Sequence, residues 1–320
     1  MANILILGAG AMGSAFTFPC IDNKHKVILC EPYNNFLIKK IMSKGNYHPT
    51  LKVNLPKKLI VKKYSNDLLK KKWDLVVVAV SSIGIKFVGE KLKTMKKNNP
   101  ILILTKGLHY QKNEKKLLTM TELLNKFVKN DNISILKGPC LAGELAKKIK
   151  TRAVIANKNI NKAKSIGKLI STTYYQFDYS NDVKGIEICS AIKNLYSMII
   201  GSCERLNTAS VLFRNSLSEM LYITKFFKGR ENTVFGLAGI GDLYVSALGG
   251  RNSRMGMYLG RGFTYSKAKK KFMPKETIEA AQLAFNIAPY ILKKINKKKI
   301  PLMVNLLRAI CNDKKLKINW

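Results

Sequence analysis

The segment ANILILGAGAMG, from Ala2 to Gly13, indicates how the first half of the chain folds. A short apolar strand runs into a G-x-G-x-x-G pattern and opens a helix predicted over Ala11–Cys20. In such a pattern the first glycine makes a tight turn, the second lets backbone N–H groups reach a pyrophosphate, and the third packs helix against strand. We therefore expect a bound dinucleotide. Its expected contacts in this motif are Gly8, Gly10, Ala11, Met12 and Gly13.

An acidic residue after the second predicted strand bears on the choice of cofactor. The strand covers Lys26–Cys30, and Glu31 lies 23 positions after Gly8. A carboxylate there accepts hydrogen bonds from the adenosine ribose hydroxyls and repels a 2′-phosphate. The pattern favours NAD over NADP, but Lys39 and Lys40 nearby could soften this discrimination, so NADP stays open. A solvated Glu31 without any cofactor contact is the alternative.

Later apolar segments extend this start into a doubly wound (Rossmann-type) α/β domain with a mostly parallel sheet. The clearest is WDLVVVAV, Trp73–Val80, a continuous apolar run of the kind that is buried in a parallel sheet. Helix-like segments follow the strands, as this fold class requires. The other strands expected after the second are Pro56–Val61, Ile101–Thr105, Ile133–Lys137, Arg152–Ala156 and Thr173–Phe177.

Open α/β sheets bind ligands at the carboxyl ends of their strands, so residues that directly follow predicted strands are candidate ligand contacts. Ser81 follows one predicted strand and Lys106 follows another. A lysine in that position could bind a phosphate or a substrate oxygen, although among so many lysines a solvated side chain is the plain alternative. In the segment GPCLAGELA, Ala142 is small enough for the chain to pass beside a nicotinamide ring.

In the second half the apolar residues change to a helical period. Gly185–Leu206 predicts a long, largely apolar helix that carries Lys193 and Asn194. Burying an unpaired lysine costs on the order of several kcal/mol, and a lysine removed from water releases its proton more readily. Lys193 is therefore a candidate for proton transfer, with a side chain reaching solvent as the alternative. We expect two domains, residues 1–182 for the dinucleotide and 183–320, all-helical, for substrate and catalysis.

The stretch from Gly236 to Gly262 combines many glycines with Asp242, Arg251 and two further arginines. Glycine lets a backbone approach a ligand, and arginine offers a planar fork of donors that fits an oxyanion. The combination indicates a small-anion site. A flexible surface loop with scattered charge is the alternative reading.

The composition is strongly basic, with 57 Lys and Arg against 19 Asp and Glu and a net charge of +38. Such a charge suggests nucleic acid, but the lysines are spread along both halves of the chain, so we expect no nucleic-acid partner. Six cysteines without a CxxC pair are typical of reduced thiols in a cytoplasmic protein, and no metal site is expected. The apolar runs are too short to span a membrane, and no signal peptide is visible.

In combination, six motifs resemble those of the NAD-dependent sn-glycerol-3-phosphate dehydrogenase family. No single motif is decisive, but their order and spacing along nearly the whole chain are specific. The motifs are GAGAMG at Gly8–Gly13, KGL at Lys106–Leu108, GPCLAGE at Gly138–Glu144, AIKN at Ala191–Asn194, AGIGDL at Ala238–Leu243 and GGRN at Gly249–Asn252.

The resemblance implies an oxidoreductase that interconverts sn-glycerol 3-phosphate and dihydroxyacetone phosphate with NAD(H). Such a cytoplasmic enzyme would supply glycerophospholipid synthesis and link it to carbohydrate metabolism, and we expect it to be a homodimer. The resemblance makes Lys193 the general acid/base, Lys106 a substrate contact beside it and Asp242 the carboxylate that orients Lys193. The expected substrate contacts are Asn194, Ser246, Asn252 and Arg251, which would bind the phosphate. The expected cofactor contacts outside the glycine motif are Glu31, Ser81, Ala142, Arg251 and Glu276.

Some positions depart from the family's usual pattern. Ser246-Ala247 stands where Thr-Cys is common, Ser81 stands where Pro is usual, and the bacterial Val-Glu-Gly pattern near the C-terminus is absent. Glu276 is matched only through KFMPKET, which looks like the eukaryotic form. Two alternatives remain. One is a ketopantoate-type reductase, whose carboxylate substrate would not require GGRN, and the other is a non-catalytic nucleotide- or RNA-binding protein on the same fold.

Overall fold

A computed structural model describes residues 1–95 and 99–318, and its contacts divide the chain into two compact units. The first unit comprises Met1–Lys106 and Met120–Val183, and the second comprises Gly107–Thr119 and Lys184–Trp320. Each has its own buried apolar cluster. The grouping of Gly107–Thr119 with the second unit has no counterpart in the expected limits, 1–182 and 183–320, which stay a prediction.

The strands and helices of the described residues follow one another in this order. The strands are β1 (Asn3–Leu7), β2 (Lys26–Cys30), β3 (Tyr47–His48), β4 (Val53–Asn54), β5 (Ile60–Val61), β6 (Leu75–Val78), β7 (Ile101–Ile103), β8 (Leu108–Gln111), β9 (Lys116–Thr119), β10 (Ile133–Lys137), β11 (Thr151–Ala156) and β12 (Tyr175–Ser180). The first helices are α1 (Ala11–Ala15), α2 (Thr17–Asp22), α3 (Phe36–Ser43), α4 (Asp67–Lys70), α5 (Ile85–Leu92), α6 (Met120–Val128), α7 (Ala142–Ala146) and α8 (Ile160–Ile170). The later helices are α9 (Val183–Gly201), α10 (Leu206–Phe226), α11 (Glu231–Phe235), α12 (Asp242–Ala247), α13 (Arg251–Gly260), α14 (Tyr265–Phe272), α15 (Glu279–Lys294) and α16 (Pro301–Cys311).

The first unit is built on one large sheet with the strand order β12-β11-β10-β7-β6-β1-β2-β5. Every pair in it is parallel except β10 with β11, which is antiparallel. The register pairs Leu7 with Cys30 on one side and with Val78 on the other, so β1, β2 and β6 end at the same edge. The predicted mostly parallel sheet, followed by an all-helical region from α9 to α16, is confirmed.

Several predicted strands differ from the observed ones in their bounds, among them Pro56–Val61, of which only Ile60–Val61 is a strand, and Ile101–Thr105, which ends at Ile103. Two of the differences have local reasons. β6 ends at Val78 instead of Val80, and the carbonyl of Val80 accepts a hydrogen bond from the Thr105 hydroxyl at 2.7 Å instead of joining the sheet. β12 starts at Tyr175 instead of Thr173, because Thr172 and Tyr175 close a turn in which the Tyr175 N–H donates to the Thr172 hydroxyl. Turn hydrogen bonds of this kind compete with strand pairing and are hard to see in a sequence.

The second unit packs helices around α9, which is buried on nearly all sides and is therefore apolar almost all round. The hairpin of β8 and β9 docks on α15 through one side chain. Asn286 accepts a hydrogen bond from the Tyr110 N–H at 3.1 Å and donates to the Leu108 carbonyl at 2.8 Å. No helix among the described residues is long and apolar enough to cross a membrane.

A buried carboxylate fastens α16 to the rest of the second unit. Glu219 of α10 accepts hydrogen bonds from the N–H groups of Leu302 and Met303, in the first turn of α16, at 2.7 and 3.0 Å. The Tyr196 hydroxyl donates to it at 2.9 Å. Burial raises the pKa of Glu219 to about 7, against the lowering effect of these donors.

Candidate active site

A buried ion pair lies at the centre of the second unit. Lys193 of α9 is 4% exposed, and its Nζ donates to Asp242 Oδ1 at 2.7 Å and to the Ser246 hydroxyl. Asp242 and Ser246 lie four residues apart on α12, so one face of that helix presents both groups to the lysine. A buried cation needs such partners, because leaving one member unpaired would cost on the order of several kcal/mol. The structure thus brings together three of the residues expected from the sequence.

The local chain geometry explains how Asp242 reaches this position. A π-helical turn, Leu237–Gly241, precedes α12, and turns of this kind occur frequently at functional sites. Asp242 is the first residue of α12, where a negative charge is favoured by the helix dipole. The carboxylate is therefore stabilised both by its own helix and by Lys193.

A second cluster of polar side chains includes Asn194, the next residue of α9. The Asn194 side-chain amide donates to Glu279 Oε2 at 3.3 Å, and Arg251 donates to Glu279 Oε1 at 3.3 Å. The neighbouring Asn252 accepts a hydrogen bond from the Ala280 N–H at 3.1 Å. The Arg251 side chain is half exposed. One carboxylate thus contacts both an arginine and an asparagine that the family resemblance implies as substrate contacts.

Glu279 is a residue that the sequence reasoning missed. Glu276, expected as a cofactor contact, pairs with Arg254 at 3.2 Å, one turn further along α13, and its cofactor role stays a prediction. The sequence does hold one signal for these pairs: Arg251 and Arg254 are three residues apart, and so are Glu276 and Glu279. Two matched ion pairs between neighbouring elements fit that spacing, but the sequence alone does not say which acid meets which arginine.

Some glycines of the Gly236–Gly262 stretch are needed for helix packing. A Cβ on Gly256 would lie 1.9 Å from the Met198 carbonyl oxygen, and one on Gly260 would lie 1.8 Å from that of Ser202. Only glycine lets α13 approach the backbone of α9 and of the residue that follows it so closely. The stretch is largely helical, so the alternative of a flexible surface loop is not what the structure shows.

The glycine motif of the first unit divides into two kinds of position. Gly8 has φ +116°, and a Cβ there would lie 2.6 Å from the Ala79 carbonyl oxygen. A Cβ on Gly13 would lie 2.0 Å from the Gly8 carbonyl oxygen. A Cβ on Gly10, in contrast, would meet no protein atom within 4 Å. The fold itself requires Gly8 and Gly13, whereas Gly10 faces open space of the kind that a dinucleotide pyrophosphate fills in this motif.

Both backbone polar groups of Ala9, inside the motif, form hydrogen bonds to side chains. Its N–H donates to Glu31 Oε2 at 3.0 Å, and its carbonyl accepts from His48 Nε2 at 2.9 Å and from the Ser14 hydroxyl at 3.0 Å. Burial raises the pKa of Glu31. His48 is fully buried, and its Nδ1 accepts from two backbone N–H groups, which assigns the proton to Nε2. No motif pointed to this histidine.

The remaining expected residues of the first unit lie at strand ends and helix starts. Lys106 Nζ donates to the Gly138 carbonyl at 3.4 Å, and the neighbouring buried Lys137 donates to the Thr105 carbonyl at 2.6 Å. Ser81 precedes a short 3-10 turn after β6, and Ala142 is the first residue of α7. These positions lie where the doubly wound fold binds its cofactor.

The chain matches one family of known proteins along most of its length. The family described as the NAD-dependent glycerol-3-phosphate dehydrogenase N-terminus matches residues 3–163, and the corresponding C-terminus family matches residues 182–318. The NADP(+)-dependent glycerol-3-phosphate dehydrogenase of Archaeoglobus fulgidus is 30% identical over 280 residues, covering 84% of this chain and 83% of that protein. The glycerol-3-phosphate dehydrogenase [NAD(P)+] of Fusobacterium nucleatum is 28% identical and covers both chains fully. In fold, the crystal structure of glycerol-3-phosphate dehydrogenase from Coxiella burnetii gives a TM-score of 0.86 at 23% identity, covering 98% of this chain and 96% of that one.

Proposed function

The chain belongs to the NAD-dependent glycerol-3-phosphate dehydrogenase family, and we propose that it interconverts dihydroxyacetone phosphate and sn-glycerol 3-phosphate with Lys193 as general acid/base. NAD(P)-dependent glycerol-3-phosphate dehydrogenase activity is the family's activity. The observation that carries the assignment of the residue is the buried contact of Lys193 with Asp242 and Ser246.

Lys193 transfers the proton of the reaction. Reduction of the ketone adds a hydride to carbon and a proton to oxygen, and the bound nicotinamide cofactor supplies the hydride. The Lys193 ammonium gives its proton to the developing alkoxide oxygen and takes it back in the reverse direction. Asp242, at 2.7 Å, fixes the position of Nζ and stabilises its charged form, and Ser246 holds it from one helical turn away. Such placement reduces the reorganisation needed during the reaction.

Arg251 binds the substrate phosphate in this proposal. Its guanidinium can form two parallel hydrogen bonds to phosphate oxygens, a geometry that a lysine does not offer. Glu279 keeps Arg251 and Asn194 in place, and a phosphate dianion would compete with that carboxylate for the guanidinium. Lys106 and Asn252 complete the proposed substrate contacts.

The cofactor is proposed to bind to the first unit. The open space at Gly10 and the immobilised Ala9 peptide support a pyrophosphate on the glycine motif, with Glu31 next to the ribose. Ser81, Ala142, Ala11 and Met12 are proposed further contacts, and Glu276 is proposed from the family pattern alone. We also propose that the enzyme is a cytoplasmic homodimer that supplies glycerol 3-phosphate for glycerophospholipid synthesis.

The test is NADH oxidation by the purified protein with dihydroxyacetone phosphate, with ketopantoate as a parallel arm. Saturable oxidation with the triose phosphate and none with ketopantoate is the expected result. Oxidation with ketopantoate alone would assign the other reductase activity. Folded protein that binds NADH but oxidises it with neither substrate would reject the proposal.

A further inference from the structure

A buried lysine, Lys137, is the last residue of β10 and has no part in the proposed reaction. It is 2% exposed, although burying a lysine is costly unless acceptors surround its ammonium group. Its Nζ donates to the Thr105 carbonyl at 2.6 Å and to the Ile103 carbonyl at 3.3 Å. Ile103 is the last residue of β7, and Thr105 follows it two positions later. The lysine therefore ties the ends of two neighbouring strands together.

The tie lies where the pairing of these strands stops. The register of β7 with β10 ends at Ile103 opposite Ile135, and beyond this pair lies the edge at which open α/β sheets bind ligands. Lys137 bridges the two strands past that point. On the other side of β7, the Thr105 hydroxyl donates to the Val80 carbonyl at 2.7 Å. Side chains thus hold the strand ends where backbone pairing no longer does.

Lys106 makes the reciprocal contact. Its Nζ donates to the carbonyl of Gly138, the residue after Lys137, at 3.4 Å. Lys137 donates to the carbonyl of Thr105, the residue before Lys106. That carbonyl belongs to the planar peptide group that leads into Lys106, so its hydrogen bond fixes the direction in which the Lys106 side chain leaves the backbone.

Such restraint matters for a lysine that is to meet a ligand. A lysine side chain has a flexible four-carbon stem and loses rotamer freedom when its ammonium group is held. Where the fold already restricts the stem, ligand binding has less freedom to remove and is stronger. The contacts of Lys106 and of the peptide before it provide this restriction.

We propose that Lys137 is a positioning residue that holds Lys106 where it meets the phosphorylated substrate. The proposal rests on the proposed function, in which Lys106 is a substrate contact. Lys137 itself touches neither substrate nor cofactor and acts through the peptide group between Thr105 and Lys106. Its loss therefore weakens substrate binding and leaves cofactor binding and proton transfer by Lys193 unchanged.

The experiment compares Lys137→Met with the matched control Asn157→Ala. Asn157 is also buried, and its amide donates to the Ile133 carbonyl at 3.1 Å and to the Ser134 hydroxyl at 2.8 Å, at the opposite end of β10. Both variants remove hydrogen bonds that hold β10, but only Lys137→Met removes one that holds the peptide before Lys106. Steady-state kinetics gives kcat and the KM for dihydroxyacetone phosphate, and titration gives the NADH dissociation constant.

We expect Lys137→Met to raise the KM for dihydroxyacetone phosphate about fivefold, with kcat and the NADH dissociation constant within about twofold of native. Asn157→Ala should leave all three within about twofold. Lys106→Met should raise the KM about tenfold, and adding Lys137→Met to it should raise the KM no further, because the two residues act as one unit. Lys137→Gln keeps an amide donor, should have a smaller effect in the same direction, and replaces the methionine variant if that variant does not fold.

A second measurement needs no substrate. Brief acetylation of the free protein, followed by mass spectrometry, gives the rate at which the Lys106 amine reacts. We expect Lys106 to react about threefold faster in Lys137→Met, because the segment that carries it opens more readily once its hydrogen bond is lost. In Asn157→Ala it should react at the native rate.

A native KM in Lys137→Met would overturn the proposal, and so would a native rate of Lys106 acetylation in that variant. If the KM effects of Lys106→Met and Lys137→Met multiply in the double variant, Lys137 does not act through Lys106. An equal rise of KM in Asn157→Ala would reduce the role of Lys137 to the stability of β10. Failure of the proposed function is distinct, because the native protein would then oxidise no NADH with dihydroxyacetone phosphate, while the acetylation rates would still decide whether Lys137 positions Lys106.

Discussion

The Lys193 cluster of the second unit and the glycine motif of the first unit are built in opposite ways. Lys193 meets Asp242 and Ser246 from 49 and 53 residues away, and the lysine and its carboxylate are buried. The glycine motif combines one contact close in sequence, Gly13 against the Gly8 carbonyl, with a distant one, Gly8 against Ala79, and at Gly10 it leaves open space. The proposed proton-transfer group is thus held by buried tertiary contacts, whereas the proposed cofactor region leaves backbone open at Gly10. Substitutions in the cluster should affect the rate, and those in the motif should affect binding.

The largest effect is expected for Lys193→Met. Loss of a general acid/base lowers kcat by roughly 10²–10⁴-fold, while the cofactor dissociation constant should stay within about twofold. Steady-state kinetics and cofactor titration measure the two quantities. Lys225→Met, at an exposed ion pair with Glu231, is the control and should keep native kcat.

Loss of Lys193 also leaves Asp242 buried without this partner, so the fold needs a check. The double variant Lys193→Met with Asp242→Asn removes the uncompensated charge and should recover the thermal stability but not kcat. A double variant that regains native turnover would show that Lys193 acts only in stability.

The next effect is expected at the two matched arginines. Arg251→Ala should raise the KM for dihydroxyacetone phosphate about 30-fold, roughly 2 kcal/mol of lost phosphate contact, with a smaller change in kcat. Arg254→Ala, whose partner is Glu276, should raise it less than about threefold. Steady-state kinetics measures both KM values. An equal rise of KM in the two variants would contradict the assignment of the phosphate to Arg251 alone.

The two glycines of the motif should respond differently to the same substitution. Gly13→Ala forces a methyl group against the Gly8 carbonyl and should lower the free energy of unfolding by about 2 kcal/mol. Gly10→Ala meets no protein atom, so stability should change by less than about 1 kcal/mol while cofactor affinity falls about tenfold. Denaturant unfolding measures the free energy of unfolding of each variant, and titration with the cofactor measures its affinity. Native cofactor affinity in Gly10→Ala would mean that the pyrophosphate lies elsewhere.

The smallest effect concerns Glu219, a buried carboxylate of the second unit that fastens α16 through the N–H groups of Leu302 and Met303. Its pKa in the folded chain, about 7, lies above the value near 4.5 of an exposed glutamate, so folding favours its protonated form. The stabilisation is complete at low pH and is lost as the pH rises through 7. Between about pH 5.5 and pH 8 the free energy of unfolding of the native protein should fall by about 1–2 kcal/mol more than that of the Glu219→Gln variant. Denaturant unfolding at the two pH values measures this difference. Parallel pH profiles of the two proteins would contradict this.

Much of the structure around the glycine motif could be predicted because its signals are local. The glycine spacing, the strand before it and Glu31 at the end of β2 all occur within about thirty residues of sequence. The burial of Lys193 could also be predicted, because a lysine in an apolar helix is unusual wherever its partner lies. Its contact with Asp242 came from the family resemblance, since no periodicity links residues so far apart.

Other features could not be predicted because they arise from tertiary contacts. Glu279 and Glu276 differ in which arginine each contacts in the folded chain, Arg251 or Arg254. His48 stands out only through its hydrogen bond to the Ala9 carbonyl. The glycines of α13 suggested a ligand, whereas the structure uses Gly256 and Gly260 to bring two helix backbones together. The hairpin of β8 and β9 joins the second unit through Asn286, a contact with no local pattern.

The most direct test of the central assignment is chemical rescue of Lys193→Ala. Small alkylamines of different basicity are added during NADH oxidation with dihydroxyacetone phosphate. If Lys193 carries the proton, turnover returns in proportion to amine concentration, and the rescued rate depends on the pKa of the amine. A variant that turns over at the native rate without amine would contradict the acid/base role. So would a folded, cofactor-binding variant whose residual rate no amine changes.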